Sequence, residues 1–227
     1  MLFLLIGITV VIVVFGPQIW ARYIFQRYNQ SLSHLPGTGG ELARHLLDRF
    51  DLTHISLERT DVGDHYDPES KTVRLSPENF DGKSLTAVSV AAHEVGHAIQ
   101  HAENHPMLTL RTQLVKKAVV AQKIGSIAMI AIPIVTMITR APSAGILLFV
   151  AAIASMFVST IVHLVTLPVE WDASFGKALP LLKKGQYISE KEIKISEKIL
   201  KAAALTYVAS SLASLLNLWR WIAILRR

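Results

Sequence analysis

The sequence predicts a mainly α-helical membrane protein in which three or four transmembrane helices carry a small α+β layer. Three observations lead there. Hydrophobic residues make up 51% of the 227 positions and mean hydropathy is positive, which is too apolar for an ordinary soluble domain. Apolar runs long enough to cross a hydrocarbon core recur at residues 2–20, 118–139 and 143–167. Between the first two runs lies a polar stretch in which helical and strand patterns alternate.

In chain order, residues 1–21 read as a retained anchor, because no basic residue precedes the apolar run and no small-x-small cleavage site follows it. Residues 22–117 form a first polar segment. Thr38-Gly39-Gly40-Glu41 has the form of a capping box, and Leu42, Leu46, Leu47 and Phe50 give the helix behind it one apolar face. Residues 54–60 and 71–75 read as strands, with turns over 61–70 between them. Ser84 is an N-cap for a further helix whose buried stripe is Leu85, Val88, Ala92, Val95 and Ile99.

Residues 118–167 read as a transmembrane hairpin turned at Arg140-Ala141-Pro142, and residues 168–201 as a second polar segment. The last segment, 202–227, is the weakest span: Asn217 and Arg220 interrupt it, so it either crosses the membrane or lies along the interface.

The formal charge of +6 sits beside the apolar runs and comes with no nucleic-acid-reading motif, so nucleic acid is not an expected partner. It orients the chain in the bilayer instead. Arg22 and Arg27, then Arg111, Lys116 and Lys117, then Lys177, Lys183 and Lys184 flank the spans on one side, which places both polar segments in the cytoplasm. Arg226 and Arg227 count against this if the last segment spans. The absence of cysteine excludes disulfides and thiolate metal ligands.

The chemistry lies in His93-Glu94-Val95-Gly96-His97. On a helix, positions four apart share a face, so both imidazoles reach one tetrahedral zinc ion and Glu94 faces the water that the ion activates. Glu94 is then the general base. A catalytic zinc takes three protein ligands, so one more is needed. His101 lies about 12 Å further along the same helix axis and cannot converge on the same ion. The metzincin pattern fails as well, with Gln100 in the place of its glycine and Glu103 in the place of its third histidine. Glu170 is the preferred third ligand and Asp172 its rival, because two membrane crossings return the chain to the same side. The plain alternative for Glu170 is a helix-capping carboxylate after Pro168. His65 and Tyr66 are candidates for stabilising the tetrahedral oxyanion; the alternative is a turn that tucks an aromatic ring into the core. The strand over 71–75 is a candidate edge for an extended substrate, and His163, deep in the third apolar run, is expected to face the bundle interior.

Taken together, residues 93–100 (His-Glu-Val-Gly-His-Ala-Ile-Gln), Asp64-His65-Tyr66-Asp67-Pro68, Leu75-Ser76 and Glu170-Trp171-Asp172-Ala173-Ser174 resemble the YugP-type family of bacterial membrane zinc metallopeptidases over nearly the whole chain. The layout is more distantly similar to HtpX and CAAX-prenyl-type membrane proteases, which have Glu-x-x-Ala-Asp where this chain has Ser174 in the aspartate position. The resemblance implies a membrane peptidase and brings no substrate. The resulting expectation is a multi-pass zinc metalloendopeptidase of gluzincin-like type in the bacterial cytoplasmic membrane, with a zincin-like catalytic layer. Its expected partners are the lipid bilayer and protein or peptide substrates held near it. Two rivals stand beside it. Intramembrane proteolysis of the site-2 type needs the motif inside an apolar span, and a non-hydrolytic metal-binding scaffold or transporter needs ionisable residues lining several spans.

Overall fold

The structure is a computed structural model that describes residues 1–140 and 142–225. It is mainly helical with one small sheet. In order, the elements are α1 (Leu2–Arg27), α2 (Gly39–Arg49), β1 (Ser56–Arg59), β2 (His65–Asp67), β3 (Thr72–Leu75), α3 (Pro77–Phe80), α4 (Leu85–Ala102), α5 (Pro106–Thr139), α6 (Pro142–Trp171), a π-helical segment (Asp172–Ala178), α7 (Leu179–Gly185) and α8 (Glu190–Leu225).

The local signals of the first polar segment fold as their chemistry dictates. The Thr38 side chain accepts from the Glu41 amide while Glu41 reaches back to the Thr38 amide, so two orphan donors at the start of α2 are satisfied reciprocally. The Ser84 hydroxyl accepts from the Ala87 amide and starts α4. Leu85, Val88, Ala92, Val95 and Ile99 are all buried, but so is almost every other residue of α4 from Leu85 to Gln100. This helix is the centre of its segment, with α2, the sheet and the π-helical segment packed around it.

The sheet differs from the expectation in one respect. The stretch assigned to turns contains β2, and the strand order is β1-β3-β2, with β1 parallel and β2 antiparallel to β3. β3 is therefore the central strand and β2 an edge, so the role expected of an edge at 71–75 passes to β2. Side-chain hydrogen bonds hold the short β2 in place. Asp64 accepts from the Ser76 amide and hydroxyl and from Asn79 Nδ2, while Asp67 accepts from the Glu69 amide, the Ser70 hydroxyl and Arg74.

Among the described residues, one helix is long and apolar enough to cross a membrane, Glu190–Leu216 within α8. Pro106–Ala128 and Ile130–Thr139 count as a second only if taken together across a 45° bend. That bend falls four residues before Pro133, where a proline ring displaces the carbonyl of the preceding turn. That helix begins inside the stretch expected to be polar, 168–201, and runs on into the last segment, whose apolar pattern is the weakest in sequence. α5 packs along α6, and α8 packs against α1 and α6. Ala141 of the hairpin turn and Arg226 and Arg227 lie outside the described residues.

Candidate metal centre

Three buried side chains from two elements meet beside α4. His93 and His97 lie one turn apart with their rings 4.7 Å apart and nearly perpendicular. Both Nε2 atoms face Glu170 at the end of α6: His93 Nε2 is 3.2 Å and His97 Nε2 3.4 Å from the same carboxylate oxygen, Oε2. The helix runs unbroken through Pro168, so Glu170 does not cap it. One ligand atom from each residue lies within 4.8 Å of the others, and the group could hold a metal ion.

The donor set fits zinc in kind and in size. Zinc–nitrogen bonds of 2.0–2.1 Å in a tetrahedron put neighbouring ligand atoms about 3.3 Å apart. The two nitrogen–oxygen separations bracket that value. Glu170 is only 1% exposed, and its second oxygen accepts no hydrogen bond although Arg111 Nη1 lies 3.2 Å away. A carboxylate so enclosed needs positive charge beside it. Burial alone would raise its pKa, but His97 and His93 outweigh that and hold it well below the usual carboxylate range.

Glu94 adjoins the trio. Burial pushes its carboxyl up to about 7, opposed by the charge of His93 and by the backbone amide of Tyr66, and reinforced by Glu170 and Asp64. β2 therefore passes directly beside Glu94. The Tyr66 ring is buried in the core and its hydroxyl hydrogen-bonds His101 Nδ1 at 2.7 Å, while His65 Nδ1 bonds the Gly63 carbonyl at 2.8 Å. Burial raises the Tyr66 phenol to about 12 and lowers the His101 imidazole. Asp172 is outside the trio: it accepts from Gln100 Nε2 at 2.7 Å and lies 3.9 Å from His105 Nε2.

Three features depend on residues that sequence reasoning does not assign to the site. Gly96 faces the π-helical segment, where a Cβ would come within 2.9 Å of the Ala173 carbonyl oxygen, so only glycine permits this approach. Arg111, read in sequence as an orienting charge, pairs with Glu170. Tyr207 of α8 stands within electrostatic reach of Glu170, Glu94 and Arg111. No sequence signal marks Arg111 or Tyr207, because each arrives from a helix other than that of the histidine motif and belongs to no motif of its own. A cavity of about 200 Å³ opens at His97 between β2 and α5, lined by Tyr66, Asp67, Leu108, Arg111 and Val115. A larger one of about 520 Å³, under α2, touches none of these site residues.

A helix-borne histidine pair, an acid between them and a glutamate from a second helix are the parts from which zinc peptidases are built. Over residues 3–226 the chain matches the family described as "Putative neutral zinc metallopeptidase". It is also 35% identical to the "Putative membrane protease YugP" of Bacillus subtilis, over 99% of this chain and 96% of that protein. The chain belongs to this YugP-type family of zinc metallopeptidases. No solved structure matches it.

Proposed function

We propose that this protein is a membrane-bound zinc endopeptidase that cleaves membrane-associated or misfolded protein substrates, with His93, His97 and Glu170 holding the ion. The observation that carries the reading is the buried convergence of two Nε2 atoms on one oxygen of Glu170, with Glu94 beside them.

Zinc in that position supplies Lewis acidity, polarising the scissile carbonyl and making water acidic enough to ionise near neutral pH. Glu94 takes the proton from the attacking water and returns it to the leaving amine. Arg111 neutralises the side of Glu170 that faces away from the histidines. β2 is an edge strand next to Glu94, along which an extended peptide can add as a further strand. His65 and Tyr66 ride on that strand and are the residues assigned to the oxyanion side of the substrate; Tyr66 lines the cavity at His97, and its hydroxyl would have to leave His101 Nδ1 to donate there.

The membrane part consists of α1 and the apolar stretches of α5, α6 and α8, with Glu170, past the apolar run of α6, and the rest of the site on the cytoplasmic side. Supporting this are large apolar side chains turned outward along α1, α5 and α6, among them Ile19, Ile130, Met137 and Leu147, each about 70% exposed. Water does not tolerate an apolar surface of that extent, whereas lipid requires one.

The direct test is removal of the ion. Chelation should abolish digestion of casein or of a detergent-solubilised membrane protein, and one equivalent of zinc should restore it. Digestion that persists after the zinc has been stripped would overturn the reading.

A further inference from the structure

Gln100, the residue that breaks the metzincin pattern, has a side chain with no exposed surface and every polar atom engaged. Its Nε2 lies 3.0 Å from the Val169 carbonyl oxygen and 2.7 Å from Asp172 Oδ2. Both of those groups only accept hydrogen bonds, so the amide has one possible orientation; flipping it would set oxygen against oxygen at both contacts. Oε1 must then face His97 Nδ1, 3.0 Å away, and it too only accepts. The proton of His97 is thereby fixed on Nδ1, which leaves Nε2 with a bare lone pair aimed at Glu170 and His93. His93 is held differently, through the Ser174 hydroxyl at 3.1 Å from its Nδ1.

We propose that Gln100 is a positioning residue that fixes the tautomer and direction of His97 and relays the charge of Asp172 to it through a polarised amide. A ligand histidine usually hands its second nitrogen to a carboxylate directly, which raises its basicity and locks its ring. Here the carboxylate stands one residue further out, and an amide with a donor on one side and an acceptor on the other spans the gap. The π-helical segment makes this possible: its wider turn sets Asp172 beside Gln100 while Ser174 stands under His93. This inference rests on the zinc reading above.

The experiment is a double-variant cycle read as zinc affinity, by chelator competition on the full-length protein in detergent. Gln100→Met, which keeps the volume and removes the relay, should weaken zinc binding about 10- to 100-fold. It should leave the melting temperature of the zinc-free protein within a few degrees of wild type. Asp172→Asn should weaken binding less. The double variant should be no weaker than Gln100→Met alone, because Asp172 acts through Gln100. Additive losses, or zinc affinity unchanged in Gln100→Met, would overturn the relay. Should Gln100→Met fail to fold, Asp172→Asn decides alone, since that side chain is about one-third exposed and its removal disturbs no core; unchanged affinity there refutes the proposal. A wild type that binds no zinc overturns this inference and the zinc reading together. Zinc lost in His97→Ala but kept in Gln100→Met overturns only the relay.

Discussion

Glu170 is sealed from solvent on the axis where two imidazoles converge, and nothing at the end of an apolar helix requires a carboxylate there. Arg111 pairs with one oxygen of that carboxylate; the other, Oε2, faces the two imidazoles, which is where a metal ion would sit. Glu170→Ala should therefore weaken zinc binding at least tenfold, because one of three protein ligands is lost. Asp172→Ala should cost less, since its oxygen meets Gln100 and not the ion. Chelator competition orders the two, and the reverse order would make Asp172 the ligand. At this scale the sequence is legible where spacing on one helix defines the geometry, as for His93, Glu94 and His97. It is less so for the partners of the ligands. Gln100 and Ser174 appear in sequence only as departures from other families' patterns, and their contacts exist only once α4 and the π-helical segment have packed.

Among the elements, the pairing of α4 with the π-helical segment determines how close the ligands come. Gly96 is its pivot: a methyl carbon at this position would lie 2.9 Å from the Ala173 oxygen, so Gly96→Ala forces the two backbones apart by a few tenths of an ångström. Zinc affinity should fall about tenfold, since ligand geometry tolerates little displacement, while the helical circular dichroism stays unchanged. Wild-type affinity in this variant would mean that the helices have slack. The elements that sequence patterns reveal are those that carry their own signals: the capping box of α2, the Ser84 cap and the apolar stripe of α4. β2 carries none. His65-Tyr66-Asp67 is short and polar, and it becomes a strand because Asp64 and Asp67 fasten its ends and β3 supplies a partner.

For the whole molecule, the apolar runs indicate a membrane protein more readily than they fix the number of crossings. Asn217 and Arg220 lower the appeal of the last segment in sequence, yet the helix is continuous from Glu190 and packs on α1 and α6. Sidedness can be tested cleanly because the chain contains no cysteine. A cysteine at Ser70, beside β2, should be protected from an impermeant thiol reagent in intact cells, and one at Ser143, at the far end of the hairpin, should react. The opposite labelling would put the catalytic layer outside the cytoplasm. The central claim is that the buried trio serves hydrolysis, with Glu94 moving the proton. Its most direct test is Glu94→Gln, assayed for zinc content and proteolysis side by side. We predict about one zinc per chain, as in the wild type, with turnover reduced by several orders of magnitude, because an amide cannot accept the proton of water. Cleavage at the wild-type rate with zinc bound would contradict the account.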